Sequence, residues 1–288
     1  MITEFLETWP LFKESYLLGW VLSIFLPLIG VLVVLRRQVF VAVAISKSSI
    51  LGIAFFLYMS VHLNLHTHHD GGHFIQELTV LIFALLASLL CLRLPGRSSD
   101  QREIATVLVF ILSTSFSYLL LADTPLGLKE VQERLSSSLI SSEMTEVWVT
   151  SAFTLMLILC LFKYYKEIYL ICTEPNTARV MGYSILKWEF FISAMIGLSV
   201  GWSIHLGGWL FVFGTMILPV FIAIIVSKSL IQVFWVAPLV GLGSNLTGFV
   251  LAHHFDYPYS QFSIAWLGMI YIILKLLRNV IRRFSPKG

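Results

Sequence analysis

Charge is what this chain lacks most. Asp, Glu, Lys and Arg make up 12% of its 288 residues, against 58% hydrophobic, and a soluble domain carries about twice that charge, roughly 25%. This excludes a soluble globular domain and implies a polytopic membrane protein of the all-α class. The shortage is most extreme from Phe190 to Ser227, where no Asp, Glu, Lys or Arg occurs. One bilayer crossing needs about 20 residues, so this stretch is too long for a single span. Gly207-Gly208 divides it into two membrane helices joined by a tight turn. Cysteine is also scarce. Cys91, Cys160 and Cys172 fall within or at the ends of apolar runs without metal-type spacing, and read as small packing residues. No Gly-x-x-x-x-Gly-Lys motif occurs, so no P-loop nucleotide site is expected. A basic leader is missing as well: the first fifteen residues carry Glu4, Glu7 and Glu14 against Lys13, and no cleavable signal peptide is expected.

What is present is a succession of nine apolar segments: 16–35, 39–61, 78–92, 104–122, 147–162, 190–206, 209–226, 230–252 and 257–274. The basic residues between them set an orientation. Arg36 and Arg37, then Arg93, Arg97 and Arg102, then Lys163, Lys166, Arg179 and Lys187, then Lys228, and finally Lys275, Arg278, Arg282, Arg283 and Lys287 fall in alternate connections. The other connections hold only Lys13, Lys129 and Arg134. Because cytoplasmic loops collect Lys and Arg, the N-terminus is expected outside and the C-terminus in the cytoplasm. Gly197 and Gly201 form a small-xxx-small pair suited to close helix approach, and Gly241, Gly243 and Gly248 are read the same way. Pro219, inside the seventh segment, is expected to kink it.

Three polar features interrupt this pattern. The outer loop at 62–77 holds His62, His66, His68, His69, Asp70 and His73, so five of the eight histidines lie within twelve residues. Neutral imidazoles beside a carboxylate can capture a transition metal, and Gly71-Gly72 would keep such a site adaptable. The competing reading is a solvated polar loop. Lys47 is the one charge inside a span, ten residues beyond Arg37 and flanked by Ser46, Ser48 and Ser49. At about 1.5 Å per residue that is about 15 Å deep, near the midplane. An ionisable group there either lines a cavity or packs against backbone carbonyls at an interface. The cytoplasmic island at 173–182 reads as a stubby helix. Pro175 suits its first turn and Gly182 the residue just past its end. It is either an ordinary interfacial loop helix or a docking element for a soluble partner.

With these pieces placed, the chain resembles the membrane subunit of zinc/manganese/iron ABC importers, the metal-ABC permease family, from about Leu26 to Leu274. Four stretches carry the resemblance: Pro27-Leu28-Ile29-Gly30 through Arg36-Arg37 to Ser48-Ser49-Ile50-Leu51-Gly52; Glu174 to Gly182, similar to the family's Pro-Asp-x-Ala-x-x-x-Gly coupling helix; Gly207 to Pro219; and Asp256-Tyr257-Pro258-Tyr259-Ser260. The departures are specific. Val43 and Lys47 stand where the family usually places an Asp and, four residues on, a His; Ser137-Ser138 stand where it often has Gly-Asp. A lysine ammonium has no lone pair for a metal and repels a divalent ion.

The resemblance implies a single permease domain over 1–288 with a type II-like importer fold, and a non-catalytic role in the inner membrane of a bacterium. Its implied partners are a cytoplasmic ABC ATPase, a second permease chain, an extracytoplasmic metal-binding protein and the bilayer, with no nucleic acid. No cofactor is implied beyond the transported zinc, manganese or iron. Glu174, Pro175, Asn176, Ala178, Arg179 and Gly182 would couple to the ATPase, and Val43, Lys47, Ser138 and Pro219 would line the pore. The missing Asp/His pair suggests a heterodimer whose other chain supplies it. Two alternatives stand beside this: a chelated or anionic metal complex as cargo, attracted by Lys47, and an intramembrane enzyme, which would need paired ionisable groups where Lys47 stands alone.

Overall fold

The computed structural model describes residues 2–62, 71–92, 99–122, 142–255 and 257–284. Among them are ten α-helices and no strand. They are α1 (Ile2–Leu35), α2 (Val39–His62), α3 (Gly71–Leu90), α4 (Ser99–Ala122), α5 (Met144–Lys163), α6 (Tyr165–Thr173), α7 (Pro175–Val180), α8 (Ile185–Val226), α9 (Leu230–His254) and α10 (Tyr259–Phe284). Seven are long and apolar enough to cross a membrane, and α3 adds a shorter apolar stretch, Phe74–Leu90. Helix α3 begins at Gly71, inside the stretch read from sequence as loop.

The 42 residues of α8 would extend about 63 Å, roughly twice a bilayer core. Its backbone leaves helical geometry at Gly208 (φ 72, ψ 161), a conformation that costs glycine little and other residues more. The division expected at Gly207-Gly208 therefore falls at the second glycine. Through Pro219 the backbone stays helical, so the break belongs to the glycine and not to the proline. At α9, Ser229 accepts a hydrogen bond from the Gln232 N–H (3.4 Å), while Gln232 Oε1 accepts from the Lys228 N–H (2.8 Å). That is close to a capping box, shifted back by one residue.

The chain divides into two compact units. One comprises residues 1–34, 139–155 and 210–288. There Gly30 lets α1 approach the Met216 carbonyl, and Gly241 packs on Ser23 and Pro27. Tyr259 O–H donates to Asn245, whose Nδ2 donates to the Gly19 carbonyl at 3.3 Å. Phe249 stacks on the Tyr259 ring at 3.3 Å. Gly248 packs against Ser263, but nothing lies within 4 Å of a Cβ built at Gly243, which corrects the expectation of packing there. The exposed face of α9 carries Gly243 away from its neighbours.

The other unit comprises 35–138 and 156–209. The Gly197/Gly201 pair works as expected: a Cβ at Gly197 would lie 2.7 Å from Ser88 Cβ, and one at Gly201 would lie 2.6 Å from Ala84 Cβ. Ser88 O–H donates to the Ser193 carbonyl across the same α3–α8 seam. Ile50, Ile53 and Ala54 of α2 form an apolar cluster with Val80 and Leu121, against which Leu57 and Trp209 pack.

Candidate functional site

On α2, Val43 and Lys47 are one turn apart and both half-buried. Lys47 Nζ lies 4.9 Å from the centroid of the Trp209 ring. Trp209 follows the Gly208 break directly, so the break brings the indole under the ammonium. Such a cation–π contact contributes about 0.5–2 kcal/mol. The three serines around Lys47 are occupied within the fold. Ser46 and Ser49 donate to the carbonyls of Ala42 and Ile45 one turn back, and Ser48 donates across to Phe83 of α3 at 2.9 Å. Of this quartet, Lys47 alone is left partly exposed. Near the same helices, His205 Nε2 lies 3.6 Å from Glu77 Oε1, both partly exposed. In the sequence Glu77 closes the outer loop at 62–77 and His205 lies in the apolar segment 190–206, and neither position signals the pairing.

By its place between two apolar segments Arg36 is expected to be a loop charge. It is instead buried, ion-paired with Glu189 of α8 and donating from Nη1 to Ser193 Oγ at 3.3 Å. Arg37, beside it, is exposed and takes a left-handed backbone (φ 54), closing the turn between α1 and α2. The sequence does hold a signal for this pair: Glu189 is the last charge before the uncharged stretch and sits inside a helix, where an unpaired carboxylate would be costly.

Helix α7 has two built ends. Pro175 occupies its first turn, where the missing N–H is no loss, and Thr177 O–H donates to the Glu174 carboxylate at 3.0 Å. At the other end, Tyr183 N–H donates to the Ala178 carbonyl and Gly182 N–H to the Arg179 carbonyl, both at 3.1 Å. That pattern is a Schellman motif, and Gly182 supplies its positive φ of 88°. Ala178 is fully buried beneath the helix. Glu174, Asn176, Arg179, Val180 and Met181 are exposed, Val180 at 88%. A short helix presenting apolar side chains beside an arginine suits a docking knob.

The histidine-loop residues His66, His68, His69 and Asp70, and also Ser138, lie outside the described residues, and of His73 only the backbone is described, in the first turn of α3. His62 ends α2, exposed, with its ring 4.0 Å from that of Tyr58 and Nδ1 3.1 Å from the Tyr58 carbonyl oxygen. Among the described residues no group of three or more His, Cys, Asp or Glu is placed to hold a metal ion. Pro219 is buried in the second limb of α8.

Over residues 9–278 the sequence matches the model of the ABC 3 transport family. It is 28% identical over 109 residues to the "Probable iron transport system membrane protein" of Haemophilus influenzae; that alignment covers 38% of this chain and 40% of the relative. Identity to the "Chelated iron transport system membrane protein YfeD" of Yersinia pestis is 23% over 218 residues, covering 72% and 71%. Among solved structures the chain is similar to one in PsaBC from Streptococcus pneumoniae in complex with Fab, with a TM-score of 0.76, 16% identity and 95% of each chain covered. At that identity the likeness speaks to the fold.

Proposed function

The chain belongs to the ABC 3 transport family, and from that premise we propose that it is the membrane subunit of an ABC importer for a divalent transition metal: zinc, manganese or iron. It forms half of a pore with a second permease chain in a bacterial inner membrane, with nine crossings, its N-terminus outside and its C-terminus in the cytoplasm. An extracytoplasmic binding protein delivers the metal to the outer face, where the loop at 62–77 captures it weakly. ATPase subunits close on ATP below and push on α7, which switches the pore between its two sides. The chain itself does no chemistry on ATP.

The observation that carries this reading is α7: six residues with Pro175 in the first turn and a Schellman motif at the end, rooted by buried Ala178 and exposing Val180 and Met181, set between the nine-residue α6 and the long apolar α8. Such a helix buries too little to be kept for its own stability. Its built ends make sense if it transmits force to a soluble partner. Purification of the full chain in mild detergent with its native complement tests this. An ABC ATPase and a second permease co-purify if the reading holds; capture of the chain alone, or with enzymes of another class, overturns it.

A second cargo has an observation behind it. The ammonium of Lys47 stands where the resemblance places a metal-binding histidine, and Val43 offers no carboxylate beside it. A cation held over an indole attracts anions, so a chelated or anionic metal complex fits this position better than a bare ion. A relative whose name specifies chelated iron lends this reading support.

A further inference from the structure

Where α5 ends and α8 begins, Tyr164, Lys187, Trp188 and Phe191 line an open groove of about 270 Å³. The three aromatic rings form a chain of edge-to-face contacts: Tyr164 to Trp188 at 5.4 Å between centroids, and Trp188 to Phe191 at 5.9 Å. Tyr164 is held at the turn by two backbone hydrogen bonds, its N–H to Cys160 and its carbonyl to the Ile168 N–H, both at 3.0 Å. Lys163 Nζ lies 5.2 Å from the centroid of the Tyr164 ring, so a second ammonium stands at the rim. Lys163 and Lys187 are both exposed. None of the four lining residues is a carboxylate. The nearest one in sequence, Glu189, is buried against Arg36 and adds no repulsion at the rim.

The groove also sits at a defined depth. Lys163 is the last residue of one candidate span and Ile185 the first of another. Two spans thus end on the same side at the groove, at the level of lipid headgroups. Around it, Phe162, Leu186 and Phe190 are exposed. Tyr and Trp with an apolar body and a polar tip, beside Lys, are the side chains that collect at this level.

We propose that this groove seats the phosphate headgroup of an anionic phospholipid, with its acyl chains running down the exposed Phe191 side. Lys187 and Lys163 neutralise the phosphate, and Trp188 and Tyr164 flank the glycerol. A lysine near an anionic headgroup contributes about 1 kcal/mol, equivalent to about a fivefold change in affinity. A soluble protein would be a poorer match, because the groove opens among exposed apolar residues at the span ends.

The test is native mass spectrometry of the full-length chain in mild detergent, titrated with phosphatidylglycerol or phosphatidylcholine. Lys163→Gln and Lys187→Gln are surface changes that leave the packing intact. Wild type should retain phosphatidylglycerol over phosphatidylcholine; each single variant should lose about fivefold of that preference and the double variant about 25-fold. Trp188→Leu should weaken both lipids. Equal retention by wild type and the double variant overturns the proposal. So does displacement of the lipid by millimolar inorganic phosphate alone, which would mark a soluble phosphate site. Loss of ATPase co-purification in the double variant with unchanged lipid retention also overturns it, since the groove would then be a protein contact.

Discussion

An ammonium offers no lone pair to a metal, so Lys47 over the Trp209 ring needs a role other than ligation. Two substitutions separate the cargoes, read as uptake by proteoliposomes holding the assembled transporter. Val43→Asp with Lys47→His rebuilds a carboxylate–imidazole pair one turn apart, and divalent-metal uptake should be kept or raised if the cargo is the bare ion. Lys47→Ala should abolish uptake if an anionic complex is the cargo. Survival of all uptake in both variants would make Lys47 a packing residue and discard both pore models. The buried pair calls for a stability test instead. Removing Arg36 as Arg36→Met strands Glu189 in the interior, which should cost about 3–5 kcal/mol, whereas Arg36→Met with Glu189→Met should recover most of it. Thermal unfolding in detergent reads this as a large loss for the single variant and a partial return for the double; strictly additive losses would mean that the two side chains do not depend on each other. Lys47 was legible from sequence because a charge inside an apolar run stands out. Arg36 was not, because a basic residue at a span end looks the same whether it faces water or a carboxylate 153 positions along the chain.

At the scale of elements, α7 was the most legible. Pro175 and Gly182 are local signals, and both ends formed as local chemistry dictates. The break in α8 was legible in place but not in conformation, since a Gly-Gly pair marks a weak point without saying which residue turns. The face of α9 could not be read, because glycine spacing alone does not tell which side meets a neighbour, and Gly243 faces outward. The structure also sharpens the test of docking. Ala178 is fully buried, so Ala178→Trp would disrupt α7 itself and report on folding as much as on coupling. Val180→Asp and Met181→Asp change only the exposed tip. Each should keep the chain in the membrane at wild-type levels while lowering ATPase co-purification by about tenfold or more, the loss expected when a charge is buried unpaired in an interface. Wild-type co-purification and uptake in both variants would return α7 to the status of an interfacial loop helix.

For the molecule as a whole, the apolar periodicity and scarcity of charge were enough to expect an all-helical membrane protein, and seven described helices meet the length and composition of a span. The pairing of helices was beyond reach. A contact such as Ser88 with Ser193 depends on which of many similar apolar faces meet, and apolar sequences are nearly interchangeable at that level. Orientation rests on the distribution of Lys and Arg, and burying Arg36 removes one charge from the cytoplasmic side without altering the asymmetry, since Arg37, Lys163, Lys166, Arg179, Lys187 and Lys228 are all exposed or half-buried. It can be tested with the three natural cysteines replaced by alanine, which is mild because Cys91 and Cys172 are buried and Cys160 partly so, none of them bridged. In that background His62→Cys and Thr177→Cys place single thiols at exposed positions at opposite predicted sides. A membrane-impermeant maleimide added to intact cells should label the thiol at 62 and leave that at 177 untouched until the membrane is opened. The reverse pattern would put α7 outside, away from ATP, and the proposed docking of an ATPase there would fall with it. Labelling of both in intact cells would mean that the two positions share a side, which an odd number of crossings between them forbids, and the count of nine spans would have to be redrawn.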